Sequence, residues 1–119
     1  MVDPVDPVSS RVLHMCASAH GAFSDDECDL VIELAREQGL SKGVVGESNV
    51  NLDVRDSDIA RLPRTENTEW LYKKVFDIVL HLNSEAWKFD LLESEDFQVA
   101  EYTEAGHYDW HLDISSQYP

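Results

Sequence analysis

The chain has 119 residues, enough for one domain, and 43% of them are hydrophobic, which is ordinary for a protein with a single modest core. Nine Lys and Arg stand against 24 Asp and Glu, a formal net charge of −15 that repels phosphate backbones and anionic lipid and sets nucleic acid and membrane aside as partners. No apolar run approaches the ~20 residues of a membrane span, the acidic, proline-bearing start MVDPVDPVSS lacks a leader's basic flank, and two cysteines make no disulfide framework, so a reducing, cytoplasmic setting is expected.

Residues 1–10 read as a flexible lead, because each of two Asp-Pro pairs disfavours helix at the residue before proline. Residues 11–119 are then the folded part, opening with a short strand at 11–15. Ser24 and Glu27 stand three apart, as the N-cap and N3 residues of a capping box. Acidic residues fill the first turn, Cys28, Val31, Ile32 and Ala35 recur at helical spacing, and Gly39 offers a stop. These signals predict a helix over 25–38. Cys16 and Cys28 read as ordinary small side chains, buried or half-buried.

Residues 40–64 are rich in Gly, Ser, Asn and Asp. Val50, Leu52 and Val54 alternate with polar residues, which predicts a half-exposed strand. A second helix is expected over 67–87, with Leu71, Val75, Ile78, Val79, Leu82 and Ala86 on one stripe and Thr65 or Asn67 as cap. The period then changes. Strands are expected at 89–92 and 97–102, a turn at 103–106, and a last strand over 108–114. The order of elements predicts an α+β fold, with helices packed on antiparallel strands.

The last strand carries the chemistry. On an extended chain His107, Asp109, His111 and Asp113 share one face, and Tyr108, Trp110, Leu112 and Ile114 the other. Two residues of strand span ~6–7 Å, so His111 and Asp113 can aim an imidazole and a carboxylate at one metal ion, although on the motif alone a surface His beside a solvated Asp is the better reading. Two His and one carboxylate on one face of an octahedron is the non-haem Fe(II) arrangement. His107 is ~13 Å from His111 on a straight strand and reads as a turn-edge histidine. Trp110, on the other face, belongs to the core.

The stretch QVAEYTEAGHYDWHLD, residues 98–113, resembles the iron-binding region of the prolyl 4-hydroxylase-type Fe(II)/2-oxoglutarate dioxygenases. Tyr102, Gly106, Tyr108, His111 and Asp113 follow one another in the family's order and with similar spacing. Upstream, VRDSDIARL at 54–62 is similar to a second family segment through Arg55 and Ser57, although the Gly and aromatic residue that often follow are absent. The resemblance covers roughly residues 22–115 and only the N-terminal part of the family's catalytic domain. It implies the first part of a double-stranded β-helix, or jelly roll.

Carried over residue by residue, the resemblance makes His111 and Asp113 iron ligands and aims the Tyr102 hydroxyl at 2-oxoglutarate. Arg55 and Tyr108 become substrate-side contacts, with strand packing the plainer role for Tyr108. The implied cofactors are Fe(II), with 2-oxoglutarate as cosubstrate and ascorbate as a further candidate. The implied reaction is hydroxylation of a prolyl or similar residue, in a peptide, protein or small molecule, coupled to decarboxylation of 2-oxoglutarate to succinate. Asp113 favours a hydroxylase over the related halogenases, which lose this carboxylate.

The family also needs a second His and then a Lys or Arg on later strands, and neither residue type follows His111. The expectation is a fragment of a longer dioxygenase, inactive alone. The alternatives are a second chain that completes the barrel, or an acidic α+β binding module that retains a remnant His-x-Asp.

Overall fold

The structure is a computed structural model, and it describes residues 16–45 and 49–113. The expected lead at 1–10, the strand at 11–15 and Ile114 lie outside the described residues. Among the described residues the fold is α+β, with two helices and antiparallel sheets. No helix among the described residues is long and apolar enough to cross a membrane. The described residues divide into two compact units: one holds 16–29 with Pro63–Asp96, the other the described part of Leu30–Leu62 with 97–113.

Helix α1 spans Asp25–Gln38. Its start is set by reciprocal capping: the Glu27 amide donates to Ser24 Oγ (3.1 Å) and the Ser24 amide donates to Glu27 Oε1 (3.0 Å). Its end is set by Gly39 at φ +92°, whose amide reaches the Ala35 and Arg36 carbonyls at 3.1 and 3.2 Å. A side chain at that φ would be strained, which is why glycine stops the helix there. The buried stripe begins later than expected. Val31 and Leu34 are half-buried and Ala35 is buried, while Cys28 and Cys16 are both exposed free thiols, a correction to their expected burial.

In the first unit, helix α2 spans Glu69–Glu85. Its N-cap is Thr68, not Thr65 or Asn67, and Thr68 makes no side-chain cap hydrogen bond. Its buried hydroxyl instead accepts the Thr65 amide (2.8 Å) and donates to the Pro63 carbonyl (2.7 Å), folding the turn that aims the helix. Arg64 grips Glu69 through two bonds of 2.8 and 2.7 Å and lies over the rings of Tyr72 and Phe76. Leu71 and Tyr72 are buried, but Val79, expected on the apolar stripe, is exposed. Lys74 reaches both oxygens of Glu27 at 2.6 and 2.7 Å and covers the Phe23 ring, tying α2 to the start of α1.

The strand expected at 89–92 does not form. Lys88 takes a left-handed φ of +57°, and the Asn83 side chain then binds Phe89 twice, donating to its carbonyl and accepting its amide at 2.9 Å. The amide and carbonyl that Phe89 would offer to a neighbouring strand are already taken. Phe89, Leu91 and Leu92 are exposed.

The second unit holds β1 (Ser41–Lys42), β2 (Arg55–Asp56), β3 (Asp58–Leu62), β4 (Phe97–Glu101) and β5 (His107–Tyr108). The strand expected around Val50, Leu52 and Val54 does not form; β2 begins only after it. The Asn51 carbonyl accepts the amides of Val54 and Arg55, and its side chain accepts the Asp53 amide, so 51–54 form a turn. Val50 and Leu52 are exposed. Ala60 and Leu62, alternate residues of β3, are buried.

One sheet has the order β1-β3-β4, and β2 and β5 pair separately; all pairs are antiparallel. The 103–106 turn does not fold a strand back on its predecessor, as a simple hairpin would. Asp58 pairs with Glu101, whereas Asp56, two residues back, pairs with His107, six residues on. The four surplus residues, 103–106, bulge out between two ladders built on one continuous partner segment. Gly106 closes this bulge. A Cβ there would stand 2.9 Å from the Asp56 carbonyl oxygen and 3.0 Å from the Thr103 amide nitrogen, both backbone and unable to yield.

Ser24→Ala should lower stability by about 1 kcal/mol, read as a shifted urea midpoint at unchanged slope. The bond from Lys74, followed by the Ser24 amide, holds the Glu27 carboxyl below its ordinary value of 4.5. A lowered carboxyl stabilises the fold above 4.5, and the contribution fades as pH falls through the folded value. Glu27→Gln should therefore lower the midpoint at neutral pH and flatten its decline in acid.

Candidate metal centre

The site is built on the strand pair β2–β5, where Arg55 stands opposite Tyr108. Arg55 is buried, a costly place for a cation without a partner. Its Nε donates to Ser57 Oγ (2.9 Å), one Nη donates to the Val44 carbonyl (3.3 Å), and its guanidinium carbon lies 4.4 Å from the centre of the Tyr108 ring. Gly43 makes room for it: a Cβ there would lie 2.8 Å from both the guanidinium carbon and Ser57 Oγ. Among the described residues no carboxylate forms an ion pair with Arg55.

Beyond Tyr108 the strand ends. One further bond, from the Asp109 amide to the Val54 carbonyl (2.8 Å), extends the ladder, and then the chain turns. This corrects the straight strand expected over 108–114. Tyr108 and His111, assigned to opposite faces, stack on each other with centroids 3.6 Å apart and planes 12° from parallel. Trp110 is not in the core; it is fully exposed, and Leu112 is exposed as well. The physical reason is the missing partner, since residues beyond Asp109 have no neighbouring strand among the described residues to hold them extended.

His111 is oriented by its own loop. Its Nδ1 lies 2.7 Å from the Asp109 carbonyl oxygen, which can only accept, so Nδ1 carries the proton. Nε2 then faces Asp113 Oδ1 at 3.3 Å. In the neutral imidazole both facing atoms present lone pairs, and the arrangement is favourable only with a proton or a metal cation between them. Bonds of about 2.0–2.2 Å to imidazole and carboxylate set neighbouring donors roughly 3 Å apart on a right-angled coordination sphere. The donor pair fits two adjacent corners. The Asp113 side chain is open to solvent, and no group of three or more His, Cys, Asp or Glu able to hold a metal occurs among the described residues.

The remaining expected residues separate. Tyr102, just past β4, is half exposed and takes no part in the Arg55–Tyr108–His111 stack. His107 begins β5 at the edge of the turn, as expected. Its Nε2 donates to the Asp53 carbonyl (3.0 Å), and its Nδ1 faces the Ala105 carbonyl more weakly at 3.5 Å. Both partners only accept, so the doubly protonated ring satisfies both. The bond to Asp53 is the main cause that raises its pKa above 6.5; Ala105 adds to it, as do the charges of Asp109 and Asp56. Sequence reasoning missed the Ser57, Val44 and Gly43 cradle, of which Arg55-x-Ser57 was the only visible trace.

Comparison with protein-family models, with curated proteins and with solved structures found no match for this chain.

His107 pins the 51–54 turn to the 103–106 turn. A raised histidine pKa stabilises the fold fully below 6.5, and that contribution is lost as pH rises through the folded value. The melting-temperature advantage of the wild type over His107→Gln should therefore be largest in mild acid and shrink above neutrality. An advantage that grows with pH would contradict the bonding assigned to this ring.

Proposed function

We propose that this chain is part of an Fe(II)/2-oxoglutarate-dependent dioxygenase of the prolyl 4-hydroxylase type, its strands belonging to the first part of a double-stranded β-helix. The reading rests on one observation: His111 Nε2 and Asp113 Oδ1 face each other at 3.3 Å, with the histidine's other nitrogen held by the Asp109 carbonyl. A ligating imidazole needs its second N–H occupied in this way, which selects the tautomer and aims the lone pair. The donor set, one imidazole and one carboxylate, suits a borderline divalent ion.

Within this reading His111 and Asp113 hold the iron, and one carboxylate leaves Fe(II) a net positive charge that attracts an anionic cosubstrate. When bound, Fe(II) would supply the redox chemistry by which dioxygen is divided, one oxygen atom entering the succinate formed with CO2 from 2-oxoglutarate and the other the hydroxyl of a prolyl or similar residue. The Tyr102 hydroxyl, near the strand end before the bulge, is the proposed contact to 2-oxoglutarate. A third ligand and the cation for the distal carboxylate of 2-oxoglutarate come from outside these 119 residues, either further along a longer chain or from a second chain. The cytoplasm supplies the reducing conditions that Fe(II) needs.

The second reading is an acidic binding module in which His111 and Asp113 form a surface ion pair. The exposure of the Asp113 side chain favours it.

Melting curves with Co(II) and 2-oxoglutarate separate the two. At tenfold over its dissociation constant a ligand stabilises by about 1.4 kcal/mol, or several degrees in a domain of this size. The dioxygenase reading expects an upward shift that His111→Ala and Asp113→Ala each abolish. The binding-module reading expects none. Succinate release by the 119-residue chain alone is expected to be nil.

A further inference from the structure

We infer that Arg55 and Tyr108 are positioning residues for His111, not substrate contacts; this rests on the reading of His111 as a metal ligand. An imidazole in parallel contact at 3.6 Å covers one face of the Tyr108 ring and leaves the other face to the Arg55 guanidinium, 4.4 Å from the ring centre. The three groups form a column: guanidinium, phenol, imidazole. Its base is fixed, because Arg55 is buried and anchored by Ser57 Oγ and the Val44 carbonyl. Tyr108 is fixed as the cross-strand partner of Arg55.

The column supplies what the His111 loop lacks. The Asp109 carbonyl restrains one point of the imidazole, Nδ1, and a single hydrogen bond leaves the ring free to rock about it. A flat neighbour in parallel contact fixes the plane. Point and plane together fix the direction of Nε2, and hence its approach to Asp113. Among the described residues no backbone ladder beyond Asp109 performs this task. The column works through a planar face, so the Tyr108 hydroxyl is dispensable while the ring is not. The guanidinium is likewise favoured over an ammonium, which carries the charge without a plane or a fork of donors.

The test combines NMR of the His111 ring protons with Co(II) titration, and circular dichroism confirms that each variant folds. In the wild type the ring protons should lie upfield of a free imidazole, from the current of the Tyr108 ring. Tyr108→Phe should keep that shift and the Co(II) affinity. Tyr108→Leu should lose the shift and weaken Co(II) about tenfold, as loss of a partner that orients a ligand does. Arg55→Lys should fall between them. The inference is overturned if folded Tyr108→Leu leaves the ring protons unchanged. It is also overturned if they move while Co(II) binds as in the wild type and His111→Ala abolishes binding. If His111→Ala binds Co(II) as the wild type does, the metal reading itself fails and takes the inference with it. That signature is distinct from those of the Tyr108 and Arg55 variants.

Discussion

Burying the Arg55 guanidinium is the constraint around which the second unit is organised. A cation withdrawn from water costs several kcal/mol unless its donors and its charge are met. Here a hydroxyl, a carbonyl and an aromatic face meet them: Ser57, Val44 and Tyr108. Each requirement reaches into a different segment. Ser57 must stand between β2 and β3, Gly43 must lack a side chain, and Tyr108 must stand opposite Arg55. Moving any one would leave a buried charge incompletely satisfied. The cradle thus ties the loop after β1, the break between β2 and β3, and the last strand to one side chain.

The surplus residues at 103–106 make that pairing possible. β4 runs along β3 in one register, and without an insertion its continuation would place Thr103, not His107, opposite Asp56. The bulge absorbs four residues and delivers Tyr108 to Arg55. Gly106 is required where the bulge passes the Asp56 carbonyl, and His107 then clamps the bulge to the preceding turn. Fold and candidate site are therefore one construction, since the chain that closes the bulge continues directly into His111 and Asp113.

Local features were legible to the residue. The Ser24–Glu27 box and the Gly39 stop delimit α1 as expected, because both act through backbone groups within one turn. The second helix was legible in extent to within two residues, but not in its cap. Nothing local sets Thr68 apart from Thr65 or Asn67; the distinction lies in its hydroxyl, bound into the Pro63 turn. Strands were less legible. Alternation at 50–54 and an apolar run at 89–92 both suggested extended chain, and in each an asparagine, Asn51 or Asn83, captured the backbone first.

The same division runs through the site. By itself the sequence determined the candidate donor types: an imidazole and a carboxylate two residues apart, with Tyr108 and Gly106 before them. It also determined which residues cap and stop the first helix, since those bonds close within a few residues. Only the tertiary structure decided how the donors face each other. Strand periodicity would have set Tyr108 and His111 on opposite faces. Among the described residues no strand pairs with the chain after Asp109; there it turns, and one ring lies on the other. A strand alternates only while a neighbour holds it straight, and whether that neighbour exists is decided by distant parts of the chain.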